Sequence, residues 1–183
     1  MKRIVLFATL VAGCGGDSAT PPDAELTCSP AADRVGATCA CPDNFVPTAP
    51  MFVTGRIVEN LPQIPGLLAA IGQFDEAAKR HAILIGYDPA TAPIDTDIDL
   101  ATSSFVVGFG YEIDPLQNIR SAYRVTSGML RFARACAAGV SGTVTNAALV
   151  EIDLFDNLAP IANGCTFALP TVAFAIADDC ENP

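Results

Sequence analysis

Three aspartates alternate along one short segment, and their spacing makes them candidate ligands for a hard cation. The segment reads Asp95-Thr96-Asp97-Ile98-Asp99. In an extended strand, alternate side chains project to one face about 6 to 7 Å apart, so these carboxylates repel unless water or a cation lies between them. Calcium prefers oxygen ligands of this kind. We therefore treat Asp95, Asp97 and Asp99 as a candidate calcium site, with a solvated loop and strand edge as the alternative.

Other carboxylates bear on the question of catalysis. The aspartate segment fails the EF-hand pattern, because Leu100 and Val106 stand where that loop needs glycine and a bidentate glutamate. Glu151 and Asp153 alternate in a later strand, and Glu112 lies in another. Paired carboxylates can serve hydrolases as general acid and base. An envelope hydrolase that uses clustered carboxylates, with or without calcium, is therefore the alternative functional class.

The single histidine limits the catalytic chemistry of the chain. His81 follows Lys79 and Arg80, and beside two cations at an element boundary we expect it to be solvated. A triad with an imidazole base would need this residue, and a site with several histidine ligands is excluded. The sequence assigns no catalytic residue, so a non-catalytic protein is favoured.

The amino terminus has the layout of an export signal. A positively charged start precedes an apolar run over residues 4–12, which is shorter than the roughly 20 residues that span a bilayer. The run ends in Val11-Ala12-Gly13-Cys14. This ending resembles the lipobox of bacterial lipoproteins, which implies cleavage before Cys14 and acylation of that cysteine. The alternative is an ordinary secretory signal in which Cys14 merely lies near the cleavage site.

The resemblance implies a protein of the bacterial cell envelope that is held on the membrane through acyl chains on Cys14. Gly15 is not the aspartate that lipoprotein sorting associates with retention in the inner membrane, so the outer membrane is expected. We predict a signal peptide at 1–13, a lipidated flexible tether at 14–27 and a single β-rich domain at 28–183. The net charge of −10 excludes nucleic acid as an expected partner, because such binding needs clustered Lys and Arg.

Six cysteines remain once Cys14 is set aside as the lipidated residue. An even number in an exported chain predicts disulfides, which persist outside the cytosol. Cys39 and Cys41 would point to opposite faces of an extended segment and so seek different partners. Of the 15 connectivities that six cysteines allow, we favour the set Cys28–Cys39, Cys41–Cys180 and Cys136–Cys165.

Hydrophobic periodicity predicts a domain made mainly of strands. The clearest is 105–113, in which every second residue is large and apolar. Further strands are predicted at 51–59, 82–87, 123–133 with a bulge at Gly128, 143–153, and 167–176 with an edge or break at Pro170. From Gly66 the spacing changes and favours one short amphipathic helix, although Gly72 leaves a pair of strands as an alternative.

About seven strands with short connections predict an antiparallel β-sandwich of the immunoglobulin-like or jelly-roll type, pinned by disulfides. Such a domain on a tether suits the presentation of loops and edges to a partner. The sequence therefore predicts a non-catalytic, envelope-anchored lipoprotein that acts as a binding or structural surface module, with a protein or glycan as its partner.

The lipid anchor gives the first prediction. Replacing the acylated cysteine by Cys14→Ala should remove the acyl mass and release the protein from the membrane fraction, because no other anchor is expected. Cell fractionation and intact-mass spectrometry measure both effects. Ser18→Ala, in the predicted tether, is the control and should change neither. Membrane partition and mass that are unchanged in Cys14→Ala would contradict the lipobox.

Overall fold

The computed structural model describes residues 33–35, 38–40, 52–76, 79–154, 156, 158–162 and 164–180, and every regular element among them is a strand. The predicted signal peptide and tether, with Cys14, Cys28 and Cys41, lie outside these residues. In chain order the strands are β1 (Asp33–Val35), β2 (Thr38–Ala40), β3 (Phe52–Val58), β4 (Leu68–Glu76), β5 (Lys79–Tyr87), β6 (Asp97–Asp99), β7 (Val106–Ile113), β8 (Ile119–Cys136), β9 (Gly139–Asp153), β10 (Ala159–Pro160) and β11 (Thr166–Ile176).

Nine of the strands form one antiparallel sheet that curls into a half-barrel. Its order is β10-β9-β8-β7-β5-β4-β3, with β11 also paired to β9 and β6 to β8. The two ends approach each other, since a Cβ placed on Gly55 of β3 would lie 3.1 Å from the backbone nitrogen of Ala177, which follows β11. The predicted antiparallel β architecture is confirmed. The sandwich is not, because these nine strands belong to a single continuous sheet.

The concave side of the curl encloses one hydrophobic core. Alternation along each strand sends one set of side chains inward, and the largest fully buried hydrophobic residues are Phe74, Ile85, Tyr87, Tyr123, Leu130, Phe132, Leu149 and Ile176. The Tyr87 hydroxyl donates to the carbonyl oxygen of Cys136 at 2.7 Å. Burial raises the pKa of Tyr87 to about 12. The hydroxyl therefore keeps its proton and links β5 to the β8–β9 turn.

The predicted amphipathic helix is wrong, because that segment forms β4. The strand pairs with β3 on one side and with β5 along its full length on the other. Ala70 and Phe74 pack in the core, whereas Ile71 faces the convex side of the sheet. Both faces of β4 thus carry apolar residues, which conceals the period of two and produces a spacing that also fits a helix.

The predicted bulge at Gly128 is confirmed, and of the two alternatives at Pro170 the structure shows an edge strand rather than a break. Gly128 has a φ of 127°, and the β8–β9 register shifts on both sides of Ser127, as a bulge requires. Pro170 lies in β11, for which β9 is the one partner among the described strands, and the paired positions pass from Leu169 to Thr171. An edge strand tolerates this proline because proline donates no hydrogen bond to the ladder.

A disulfide joins Cys136 to Cys180, with a Cα–Cα distance of 5.9 Å. The predicted pairings Cys41–Cys180 and Cys136–Cys165 are therefore wrong. The cause is the path of β11, whose last residue, Ile176, lies beside Val140 and next to the turn after Cys136. Its continuation carries Cys180 onto Cys136. Cys165 precedes β11 at the opposite end of that strand, and it is also disulfide-bonded.

Glycine at a close strand contact gives the second prediction. Gly142 of β9 pairs with Phe132 of β8 and Phe174 of β11, and a Cβ there would lie 2.1 Å from the carbonyl oxygen of Arg131. Because backbone must move to relieve that overlap, Gly142→Ala should lower the free energy of unfolding by about 1–3 kcal/mol in urea titrations.

The matched control is Gly108→Ala in β7. A Cβ at Gly108 would meet its nearest atom at 3.5 Å, an ordinary contact distance. This variant should leave the free energy of unfolding unchanged or slightly raised, since alanine reduces the entropy of the unfolded chain. Equal stability of the Gly142 and Gly108 variants would contradict the close packing of β8 on β9.

Candidate functional site

The convex face of the sheet centre is apolar, although it is turned away from the core. Outward positions of β5, β7, β8 and β9 form two rows across the strands. One row holds Ala82, Gly110, Ala122 and Ile152, and the other holds Leu84, Gly108, Arg124 and Val150. Apart from Val150, these residues line a groove of about 330 Å³. The volume is at the lower end of the range for small-molecule sites.

Two connections supply the walls of this groove. Residues 59–67, between β3 and β4, place Leu61 and Ile64 against it, and Ile64 is buried. The connection between β9 and β10 adds Leu154 and Leu158. Apart from the amide of Gln63, these wall residues are aliphatic, and together with the floor they form a site suited to an apolar molecule.

Glycines make the floor of the groove. A Cβ on Gly110 would come within 3.3 Å of Ile119, whereas Gly108 has no neighbour closer than 3.5 Å. At Gly108 the backbone is thus open toward the groove, and a side chain there would occupy the space. Neither glycine has a positive φ, so a left-handed backbone conformation is not the reason for glycine at these two positions. Their effect is to leave volume above the sheet.

Arg124 is the one charged residue among the described lining of the groove. It projects from β8 opposite Gly108, so its half-buried side chain lies beside the open part of the floor. No described residue forms an ion pair with it. The groove thus combines aliphatic walls with a single guanidinium.

A larger polar cleft of about 750 Å³ adjoins the groove, and Ile119 lines both. Glu112 accepts hydrogen bonds from Lys79 and, at 2.9 Å, from Arg120, while Arg80 pairs with Asp75 at 3.0 Å. Burial opposes ionisation of Glu112, but the bonds from Lys79 and Arg120 hold its pKa below the ordinary value. The cations of this cleft are therefore neutralised internally.

Two of the candidate calcium residues, Asp97 and Asp99, lie on the short strand β6 beside β8, and Asp95 lies in the turn before it. Arg131 approaches Asp95 at 3.7 Å and Asp97 at 3.5 Å, and the Asp99 carboxylate accepts a hydrogen bond from the Ala101 backbone at 2.9 Å. Among the described residues no group of three or more acidic, histidine or cysteine side chains is arranged to hold a metal ion. Calcium at this segment stays a prediction, and these contacts give it no support.

Glu151 does not join the aspartates in a common site. Its carboxylate is buried in the curl and accepts a hydrogen bond from the Cys165 backbone at 2.8 Å. Glu151 lies beside Tyr123 of β8, and Asp97 lies beside Arg131. Eight residues of strand separate those two positions, which is about 25 Å. The carboxylates that the hydrolase hypothesis needs therefore do not converge.

His81 is buried, so the expectation that it is solvated is wrong. The imidazole is 1 % exposed and packs against Phe109 and Tyr111, with ring centroids 6.0 and 5.1 Å away. Its Nδ1 accepts a hydrogen bond from the backbone N–H of Glu112 at 3.3 Å. The alternation of β5 explains the burial, because His81 shares the inward face with Ile83 and Ile85.

One sequence feature could have indicated the groove, namely the glycines that alternate with large residues in 105–113. No family model matches the chain, and neither a curated protein nor a solved structure is significantly similar to it. Among the described residues there is also no helix with the length and hydropathy needed to span a membrane. The groove itself therefore carries the functional argument.

The buried carboxyl gives the third prediction. Burial raises the pKa of Glu151 above 4.5, so the protonated form favours the folded state and its contribution is lost as pH rises through the folded pKa. Glu151→Gln keeps an acceptor for the Cys165 N–H and removes the titration. In urea unfolding, the variant should gain stability relative to the wild type as pH rises from about 4.5 toward neutrality.

Glu112→Gln is the control, and its effect on stability should depend on pH in the opposite direction. The folded pKa of Glu112 lies below 4.5, so its contribution to stability is present above that pH and is lost in acid. The Glu112 variant should be less stable than the wild type near neutral pH and should match it in acid. The same direction of change in both variants would contradict the environments described for these carboxyls.

Proposed function

We propose that this protein is a non-catalytic lipoprotein of the bacterial cell envelope whose domain binds an apolar ligand in the convex groove. The observation that carries the proposal is the glycine floor beneath aliphatic walls on a face turned away from the core. An open apolar recess exposes surface that a monomeric domain ordinarily covers. A ligand that fills it removes that surface from water.

The lining of the groove favours binding over catalysis. Its described residues include no acidic, histidine, cysteine, serine or lysine side chain, and the one phenol, Tyr123, is buried in the core. Nucleophilic and general acid–base chemistry needs such groups within reach of the ligand. Aliphatic walls also offer few hydrogen bonds to a glycan, so an apolar small molecule suits the site better than a sugar.

The lipobox supports the envelope setting of the proposal. Acyl chains on Cys14 would hold the domain at the outer membrane, and the polar segment 14–27 would space it from the bilayer. The acidic composition opposes adhesion to anionic headgroups. The domain would therefore stand free of the membrane surface with its groove open to amphiphiles.

Filling the groove gives the fourth prediction. The measurement uses residues 14–183 with Cys14→Ala. Because this variant carries no acyl chains, it needs no detergent, which would compete for an apolar site. At ten times its dissociation constant, 1-decanol should add about 1.4 kcal/mol to the free energy of unfolding and raise the melting midpoint by a few degrees. In Gly108→Val the added side chain occupies the open floor. The melting midpoint of this variant should therefore be the same with and without 1-decanol.

Ala173→Val is the matched control, because it adds aliphatic volume at an exposed position of β11 outside the groove lining. It should keep the full shift with 1-decanol. Absence of any shift in the wild-type sequence, or an undiminished shift in Gly108→Val, would overturn the proposed binding site.

A further inference from the structure

We infer that the ligand of this groove is a single-chain fatty carboxylate, whose alkyl chain lies over the glycine floor and whose carboxylate binds Arg124. The inference rests on the proposed function and adds the chemical class of the ligand. Three features of the described residues carry it, namely the lack of a counter-ion for Arg124, the position of that residue in the groove, and the size of the groove.

Arg124 has no carboxylate partner among the described residues, whereas most of the basic side chains described have one. Among the basic side chains that the structure describes, five form ion pairs within 4.0 Å, namely Lys79, Arg80, Arg120, Arg131 and Arg134. The other two are Arg56 and Arg124. The chain has twenty acidic residues for ten basic ones, so a missing partner does not reflect a shortage of carboxylates. A half-buried guanidinium without one is suited to an anion from outside.

The position of Arg124 determines which way the ligand lies in the groove. Arg124 and Gly108 are register partners on adjacent strands, and Gly110 and Ala122 form the next pair along the same floor. A chain that lies over Gly110 and Gly108 thus reaches the guanidinium at one end. Arginine binds a carboxylate through two parallel hydrogen bonds, and aliphatic walls strengthen them by excluding water.

The size and charge of the site select the class of amphiphile. At about 30 Å³ for each non-hydrogen atom, a groove of 330 Å³ holds about eleven atoms, which fits a chain of roughly ten carbons. One guanidinium balances one carboxylate. A phosphate monoester carries more charge than this cation neutralises, and a cationic amphiphile would be repelled.

Calorimetric titration of residues 14–183 with Cys14→Ala tests the inference. The ligands are decanoate, 1-decanol, decyl phosphate and decyltrimethylammonium, near neutral pH. Because hydrogen bonds to charged groups are stronger than neutral ones, decanoate should bind about tenfold or more tightly than 1-decanol. Arg124→Gln should remove that preference and leave 1-decanol binding unchanged. Arg124→Lys, which keeps the charge without the bidentate geometry, should restore part of it.

Arg56→Gln is the matched control. Arg56 also lacks an ion pair among the described residues, but it is exposed on β3 and does not line the groove. This variant should keep the full preference for decanoate. Thermal unfolding without ligand should give the same midpoint for both glutamine variants and the parent, since neither arginine forms an ion pair with a described residue.

The outcomes separate this inference from the proposed function. Equal binding of decanoate and 1-decanol, a preference that survives Arg124→Gln, or tighter binding of decyl phosphate would overturn the carboxylate assignment. In each of these cases the loss of binding in Gly108→Val would still support an apolar site. Failure of all four ligands to bind would overturn both proposals together.

Discussion

The close approach of backbones within the curl is the constraint on which the rest of the structure depends. A Cβ on Gly139 would lie 1.8 Å from the carbonyl oxygen of Ala177, so β9 and the chain after β11 can touch only because glycine stands there. This contact brings the end of β11 beside the β8–β9 turn, where Cys180 meets Cys136. The Tyr87 hydroxyl binds the same turn from within the core. One small region thereby fixes the curvature that gives the protein a single core.

The curl also determines what the convex face must do. Among the strands that the structure describes, no second sheet packs against the outward apolar residues of β5 and β7. Residues 59–67 lie over part of this face, with Ile64 over Gly86. Gly108 and Gly110 then leave space that larger residues would fill. The groove thus arises because β5 and β7 carry apolar residues on both faces, whereas the curl of the sheet covers only the concave face. A two-sheet sandwich would have buried this face.

Local patterns in the sequence predicted the strands better than their assembly. The alternation of 105–113 and the irregularities at Gly128 and Pro170 depend on a strand and its nearest partner, and the structure confirms them. Whether strands form one curled sheet or two packed sheets depends on contacts between distant segments, such as Gly55 with Ala177. Similarly, whether Arg124 pairs with a carboxylate among the described residues depends on which acidic residues the fold brings near. No spacing along the chain encodes those distances.

The proposed function links the membrane anchor of the protein to the affinity of the groove for its ligand. A ligand of about eleven non-hydrogen atoms makes few contacts, and the small number of its atoms limits its binding free energy. A free protein would seldom be occupied by so weak a ligand. A domain tethered beside a bilayer meets amphiphiles at a high effective concentration, because a short flexible linker confines it to their source. A small groove with one guanidinium is therefore adequate for a lipoprotein on the membrane, and the same groove on an unanchored protein would remain mostly empty.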